Sequence, residues 1–141
     1  MNYLIDTNVV SEALRKKPSR NVARFLETIP EERFYLSVLT LGEIRKGVES
    51  LAASADKERL RAWLEVDLRS RFDERILAVD VRVSEVWGRM LAGRKRPAAA
   101  IDSLIAATAL AHDLTVLTRN LANFDFQGLR VVDPFTAKLQ V

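Results

Sequence analysis

The 141-residue sequence has no cysteine, a single histidine and no apolar run long enough to span a membrane. Without cysteine, the chain can form no disulfide, no thiolate zinc site and no cysteine nucleophile. A Ser-His-Asp triad would depend on His112 alone, and a zinc site would lack most of its usual nitrogen and sulfur ligands. These absences disfavour triad, thiol and zinc chemistry and suit a reducing compartment, so we expect a cytoplasmic protein.

Carboxylates, in contrast, are plentiful, with 19 aspartate and glutamate residues against 22 lysine and arginine residues. Oxygen ligands of this kind suit hard divalent cations. The net charge of +3 is small, but the cations cluster at positions 15–20 and 94–96. Either cluster could follow a phosphate backbone, and either could equally be an ordinary solvated loop.

Short apolar segments alternate with helical patterns along the chain, without a repeat or a linker. This alternation predicts an α/β fold with a mostly parallel sheet. We expect one domain over residues 1–141, because this length is close to the commonest domain size. The candidate strands are Tyr3–Ile5, Phe34–Leu36, Ile76–Val79, Thr115–Leu117 and Arg130–Val132.

Helical periods fill the segments between these strands. Ser19 is a candidate cap for the helix that follows it, and the segment 101–111 is apolar nearly all round, which is typical of a helix buried against a sheet. The predicted helices cover residues 21–27, about 41–51, 55–71, about 83–91 and 101–111.

Asp6 comes directly after the first predicted strand. Ligands of open parallel sheets gather at the carboxyl ends of the strands, which makes Asp6 a candidate metal ligand. Asp is also a favoured helix cap, so a purely structural role stays open. Thr7 or Asn8 could take over that role and leave Asp6 free.

Glu43 and Asp102 allow the same two interpretations. Glu43 lies three residues after Thr40, in the spacing of a capping box, yet it also neighbours the apolar stripe of its helix. Asp102 opens the apolar helix, either as a cap or as a functional group. Carboxylates that converged on one point would repel each other unless a cation lay between them, and this repulsion favours a metal site.

Four segments, in this order and spacing, resemble the PIN-domain family, and most closely its bacterial toxin branch of FitB-like and VapC-type proteins. The resemblance extends from Met1 to about Phe135. The segments are Leu-Ile-Asp-Thr-Asn-Val at 4–9, Leu-Ser-Val-Leu-Thr-Leu-Gly-Glu-Ile at 36–44, Asp-Ser-Leu-Ile-Ala-Ala-Thr-Ala at 102–109, and Leu-Thr-Val-Leu-Thr-Arg-Asn at 114–120 followed by Phe124.

The resemblance implies a single three-layer α/β/α domain that cleaves RNA with Mg²⁺ or Mn²⁺. Asp6, Glu43 and Asp102 fall on the acidic catalytic and metal positions of the family. Many relatives carry a fourth acid in or soon after the Thr-Arg-Asn segment, where this chain has asparagine and a displaced Asp125, so a second metal would bind more weakly. The expected supporting residues are Asn8, Thr118, Asn120 and Asn123.

The resemblance also implies a cognate antitoxin, a homodimer and larger complexes with the antitoxin. We expect Arg94, Lys95 and Arg96 to contact RNA, unless they form an exposed loop without a ligand. Five apolar residues are candidates for the antitoxin surface, although the helical spacing of the last two favours the core. They are Phe25, Leu26, Trp63, Leu64 and Leu68.

Three other functions compete with this assignment. A PIN-like RNA-binding module with impaired catalysis is compatible with the missing fourth acid. A phosphatase of the haloacid dehalogenase kind would need a second aspartate at position 8, where Asn8 stands. A Rossmann-type nucleotide binder would need a glycine-rich turn after the first strand, and residues 6–12 contain no glycine.

Overall fold

The computed structural model describes residues 1–136 and contains one five-stranded sheet in which every neighbouring pair is parallel. The strand order is β3-β2-β1-β4-β5, which confirms the predicted α/β class. Residues 137–141 of the predicted domain lie outside the described residues. The strands are β1 Tyr3–Ile5, β2 Phe34–Ser37, β3 Ile76–Leu77, β4 Thr115–Leu117 and β5 Val131–Val132.

Seven α-helices connect and cover these strands within residues 1–136. Four of them begin within two residues of a predicted helix start, and the predicted Ser19 cap accepts a hydrogen bond from the Val22 amide. The helices are α1 Thr7–Ala13, α2 Arg20–Glu27, α3 Val38–Glu49, α4 Ala55–Ala62, α5 Arg69–Phe72, α6 Val81–Leu91 and α7 Ala100–Ala111.

The predicted helix over residues 55–71 is continuous, but its middle part is not α-helical. Between α4 and α5 the chain forms a π-helical segment, Trp63–Leu68, whose wider turns change which side chains face inward. Leu64 and Leu68 are buried there, as predicted for core residues, while Val66 is exposed. Trp63 is half-buried at the edge of the same core.

Helices cover both faces of the sheet, as the three-layer prediction requires. Along β1, Ile5 packs in one apolar cluster with residues of α1 to α5, whereas Leu4 packs in a second cluster with α7. The second face is built on small side chains such as Ala106 and Ala109, which let α7 lie close to the strands. No helix within residues 1–136 is long and apolar enough to cross a membrane.

The strand order sets the position of the polar residues. β1 lies between β2 and β4, and Ile5 pairs with Leu117, so the carboxyl ends of β1 and β4 are adjacent. The chain leaves β1 through Asp6 and leaves β4 through Thr118. Ligand crevices of open parallel sheets form at such a point, where strand connections run to opposite sides.

Candidate active site

Asp6 is almost completely buried at the carboxyl end of β1, with 4% of its surface exposed. Its Oδ1 accepts a hydrogen bond from the Thr7 backbone amide at 2.8 Å, and its Oδ2 accepts one from the Thr118 hydroxyl at 2.8 Å. The first of these bonds caps α1, so the capping interpretation was correct in part. The second bond joins two strand ends, which a cap does not require.

The environment of Asp6 makes its negative charge costly. Burial raises the pKa of the carboxyl to about 6, and repulsion from Asp102 and Glu43 adds to this rise. Hydrogen bonds from Thr118 and Thr7 act in the opposite direction and lower the pKa. The Asp6 carboxylate, directly after β1, therefore lies near enough to Glu43 of α3 and to Asp102 of α7 to interact electrostatically with each of them.

Glu43 lies in the middle of α3, and the capping-box interpretation of this residue was wrong. The helix begins earlier than that pattern predicts, because Ser37 caps it by accepting a hydrogen bond from the Leu39 amide. Thr40 is thus inside the helix and fully buried. Glu43 instead accepts a hydrogen bond on Oε1 from the Thr7 hydroxyl at 2.6 Å, a contact between α3 and α1.

Asp102 occupies the first turn of α7 without capping it. The cap position is Ala99, which provides no side-chain hydrogen bond, so the capping interpretation was wrong here as well. Asp102 is half-buried, and its Oδ2 accepts a hydrogen bond from the Asn123 side-chain amide at 2.8 Å. A carboxylate in the first turn is also stabilised by the positive end of the helix dipole.

Asn8 and Thr118 form a small polar network behind Asp6. The Asn8 amide donates to Asp6 Oδ2 and to the Thr118 hydroxyl oxygen, both at 3.1 Å. Its carbonyl accepts from the Arg119 backbone amide at 3.2 Å, and the Asn120 backbone amide donates to Thr118 at 3.0 Å. Both predicted supporting residues thus contact the site and hold β1, α1 and the end of β4 together.

Asn120, Asn123 and Asp125 were the candidates for the fourth position of the site, and the contacts favour Asn123. Only Asn123 touches a carboxylate of the site. Asn120 reaches the network through its backbone amide. Asp125 is exposed, and its backbone carbonyl accepts a hydrogen bond from Arg94.

The three basic residues in the loop between α6 and α7 differ in their contacts. Arg94 donates to the Asp125 carbonyl at 3.3 Å and stacks over the Phe126 ring at 4.4 Å, which holds the loop against the segment that carries Asn123. Lys95 and Arg96 are exposed and make no salt bridge within residues 1–136.

The oxygen donors fit a hard divalent cation that retains part of its water shell. Within the described part of the chain, no three carboxylate or imidazole groups lie close enough together to enclose a metal ion by themselves. Mg²⁺ rarely needs such an enclosure, since it keeps several waters and uses one or two carboxylates. The mutual repulsion at Asp6 is the second observation in favour, because a cation would relieve it.

Thr7 is the site residue whose role the sequence interpretation missed. It was considered only as an alternative cap for α1, whereas its hydroxyl reaches Glu43 on another helix. The signal in the sequence was its place directly after Asp6, since the first helical residue after a strand end projects at the same edge of the sheet.

A second feature lies further along α1. It is an apolar pocket of about 230 Å³ between α1, α2 and the π-helical segment. Its lining includes Val9, Val10, Leu14, Leu26, Trp63 and Phe72. Phe25 packs against the same core without lining the pocket.

Comparison with known proteins places these features in a family. The family model described as the PIN domain matches residues 3–125. The toxin FitB of Neisseria gonorrhoeae is 37% identical over 135 residues, which cover 94% of this chain and 97% of that protein. A VapC ribonuclease of Sinorhizobium fredii is 31% identical, with 94% and 96% covered.

Solved structures show the same similarity. The crystal structure of FitAcB from Neisseria gonorrhoeae superimposes with a TM-score of 0.88 at 36% identity, covering 96% of this chain and 99% of that chain. A toxin-antitoxin complex from Klebsiella pneumoniae gives a TM-score of 0.68 at 25% identity, with 94% and 98% covered. The similarity therefore includes nearly the full length of each protein.

Proposed function

Since this chain belongs to the PIN-domain family, we propose that it is a metal-dependent endoribonuclease and the toxin of a toxin-antitoxin pair. Relatives that match over nearly their whole length are named a toxin and a ribonuclease, which supports both parts of the proposal. The match over residues 3–125 also supports the proposal of one PIN domain over residues 1–141. We place the activity in the cytoplasm, where the proposed RNA substrate is found.

The observation that carries this proposal is the buried Asp6 carboxylate at the carboxyl end of β1, which Thr7 links by hydrogen bonds to Glu43 of α3. Repulsion from Glu43 and Asp102 adds to burial in raising the pKa of Asp6. PIN-domain nucleases generally use divalent metal ions. For this chain we propose Mg²⁺ or Mn²⁺ at Asp6, Glu43 and Asp102, bound directly by one or two of these carboxylates and through retained water by the rest, with Asn123 as a neutral neighbour. Oxygen donors with spare room for water suit both ions.

A bound ion of this kind would lower the pKa of a coordinated water and neutralise charge that develops on the phosphate. The side chains of the chain itself provide the orientation. Thr118 and Asn8 hold Asp6 from behind, and Asn123 holds Asp102, so the carboxylates keep their places before RNA arrives. Such preorganisation lowers the reorganisation required during the reaction.

We propose that the RNA backbone approaches along the loop between α6 and α7. Lys95 and Arg96 are exposed there, immediately before the helix that carries Asp102. Arg94 has a different role in this proposal, because its contacts with Asp125 and Phe126 already hold it to the protein. It fixes the loop, and its two neighbours remain available to phosphates.

The apolar pocket beside α1 is the proposed docking point for the cognate antitoxin. Half-buried Leu26 and Trp63 line it, and an unfilled apolar pocket of this kind suits an inserted side chain of a partner protein. The similarity to a toxin-antitoxin complex supports such a partner. A homodimer, and larger assemblies with the antitoxin, belong to the same proposal.

One observation favours a second candidate function, an RNA-binding module with impaired catalysis. Asn123 contributes no charge at the place where the resemblance led us to expect a fourth acid. The repulsion of Asp6 by Glu43 and Asp102 favours a metal site, and therefore catalysis. The structure further disfavours the phosphatase alternative, because Asn8 holds Asp6 and Thr118 through its amide and has no carboxyl group to act as acid and base.

The decisive experiment incubates the purified protein with total RNA and Mn²⁺ and sequences the cleaved ends. We expect defined cuts that disappear with chelator, and a loss of about 100-fold or more in rate for Asp6→Asn or Asp102→Asn, since each removes a charged ligand. Asp67→Asn is the matched control, because Asp67 is an exposed carboxylate on the π-helical segment.

Unchanged cleavage by the Asp6→Asn and Asp102→Asn double variant would contradict the assignment, as would binding of RNA without any cut, which would favour the RNA-binding module. In cells, growth arrest on expression without a partner, relieved by Asp102→Asn, would support the toxin role over a general nuclease.

A further inference from the structure

An open groove of about 640 Å³ extends from the candidate active site along α3. Thr7 and Glu43, which belong to the site, line one part of it, and Ile101 in the first turn of α7 lines another. Lys46 also lines the groove, about one helical turn beyond Glu43. A molecule that reached the site carboxylates from this side would therefore lie along the groove.

The two cations in the middle of α3 differ in their partners. Arg45 forms salt bridges with Glu49 of the same helix and with Glu65 of the π-helical segment. Lys46, in contrast, is exposed, lines the groove and forms no salt bridge within residues 1–136. Its charge is therefore free to bind an anion, and a phosphate of a nucleic acid is such an anion.

Two glycines in the interior of α3, Gly42 and Gly47, line the groove beside Glu43. Glycine destabilises a helix interior relative to alanine, and neither residue has the positive φ that would favour it. A Cβ atom at either position would meet nothing within 4 Å, so the packing of the described residues does not require glycine there. Gly88 of α6 is equally open, so an open glycine indicates no ligand unless it borders a site, as these two do.

The apolar part of the groove suits a nucleobase. Val38 of α3 and Ile101 of α7 are exposed there. The unstacked bases of single-stranded RNA bind apolar surfaces through their flat faces, while the phosphates between them bind cations. A second protein molecule could also cover apolar residues, but the free charge of Lys46 and the continuity with Glu43 favour the substrate.

We propose that this groove binds a nucleotide that flanks the cleaved bond, with its base against Gly47 and Ile101 and its phosphate at Lys46. The inference rests on the proposed function, because it assumes that RNA is the substrate. It deepens that function by assigning the substrate a binding site on α3, in addition to the basic loop between α6 and α7.

The test measures the affinity of the purified full chain for a labelled single-stranded RNA hexamer of random sequence, with a chelator present so that the RNA is not cut. Gly47→Leu fills the groove, and Lys46→Ala removes its cation. Gly88→Leu is the matched control for the first variant, because it adds the same side chain at an equally open position of α6. Arg82→Ala is the control for the second, because Arg82 is an exposed cation of α6.

Thermal unfolding separates a loss of binding from a loss of structure. Leucine is a better helix former than glycine, so we expect the Tm of Gly47→Leu and of Gly88→Leu to rise by about 3 °C. If Gly47→Leu does not fold, Gly47→Ala takes its place, since it adds only the Cβ atom for which space exists.

We expect Gly47→Leu to weaken RNA binding by about 10-fold, because the contacts of one base are lost. Lys46→Ala should lower the slope of log affinity against log salt by about 0.7, because one phosphate is no longer neutralised. Gly88→Leu should keep the wild-type affinity, and Arg82→Ala the wild-type slope.

Three results would count against the inference. Wild-type affinity in Gly47→Leu overturns it and leaves the proposed function intact, and a change in sedimentation in that variant would then identify a second copy of the chain as the occupant. A wild-type salt slope in Lys46→Ala overturns it as well, including the case in which Gly47→Leu changes affinity and oligomeric state together. A wild-type protein that neither binds the hexamer nor cuts total RNA overturns the proposed function, and this inference with it.

Discussion

The polar flank of α1, its start at Thr7 and Asn8, and the apolar flank, residues 9–14, differ in the kind of group that lacks a partner. The start of the helix, with Thr7 and Asn8, faces an edge of the sheet where negative charge is concentrated and every site carboxylate is already held by a neutral donor. One to two turns later, Val10 and Leu14 face an apolar pocket that nothing in residues 1–136 fills. Negative charge concentrated at one place favours the binding of a cation, which can in turn bind a phosphate. Unfilled apolar surface favours the binding of another protein.

In the proposed function, one short helix contributes to two binding sites through different chemistry. The polar edge is organised by hydrogen bonds that fix direction, which suits an ion and an in-line reaction. The pocket is organised by shape and burial alone, which suits a partner side chain. We therefore expect substitutions on one flank to leave the function of the other unchanged.

The largest expected effect concerns the stability of the polar edge. Because burial raises the pKa of Asp6 from 3.8 to about 6, the folded state holds this proton more tightly than the unfolded state. The stability contributed by protonated Asp6 is fully present below pH 3.8 and is lost as the pH rises through about 6. Asp6→Asn lacks this loss, so its advantage over the wild type should grow to about 3 kcal/mol at neutral pH, at about 1.4 kcal/mol per pKa unit.

Urea unfolding of the metal-free protein between pH 4 and pH 7.5 measures this difference, with Asp67→Asn, which replaces an exposed carboxylate, as the control. A stability difference between Asp6→Asn and the wild type that does not change with pH would contradict the conclusion that burial makes the charged form of Asp6 unfavourable. Mn²⁺ should stabilise only the wild type at pH 7.5, because the variant lacks the Asp6 carboxylate whose charge the ion would neutralise.

The pocket flank should respond to Trp63→Ala. Large aromatic residues in interface pockets commonly contribute about 2 kcal/mol or more, so we expect binding of the cognate antitoxin to weaken by about 30-fold while RNA cleavage stays within about 2-fold of the wild type. Val66→Ala is the control, since Val66 lies on the same π-helical segment and does not line the pocket. Cleavage that fell in parallel with antitoxin binding would show that the two flanks are coupled.

The smallest effect should come from the basic loop. Lys95→Ala combined with Arg96→Ala should weaken RNA binding several-fold, and the slope of log affinity against log salt should fall by about 0.7 for each phosphate that the variant no longer neutralises. The control is Lys16→Ala with Lys17→Ala, which removes two exposed cations from the other basic cluster. An equal weakening in the control would show that the net charge, rather than the loop, attracts RNA.

Much of the fold could be predicted because the periodicity is strong. The five strands were predicted to within two residues at each end, since buried parallel strands are short apolar segments. The π-helical segment Trp63–Leu68 could not be predicted, because the spacing of Leu64 and Leu68 fits an ordinary α-helix equally well.

The candidate site was predictable in its members and less so in their local roles. Thr40 and Glu43 have the spacing of a capping box, but Ser37 starts the helix one turn earlier and makes that box impossible. Such a competition between possible caps depends on where the preceding strand ends, and strand ends are decided by pairing with neighbours. The local pattern alone therefore favoured the wrong partner for Glu43.

The sequence by itself determined the elements, the parallel sheet and the acidic residues at the element ends, because these depend on periodicity and residue type over short stretches. Only the tertiary structure decided which donor holds each carboxylate. The partners stand 36, 112 and 21 residues apart, for Thr7 with Glu43, Thr118 with Asp6 and Asn123 with Asp102. Hydrogen bonds require atoms within about 3 Å of each other, and the packing of the strands and helices brings these distant residues that close.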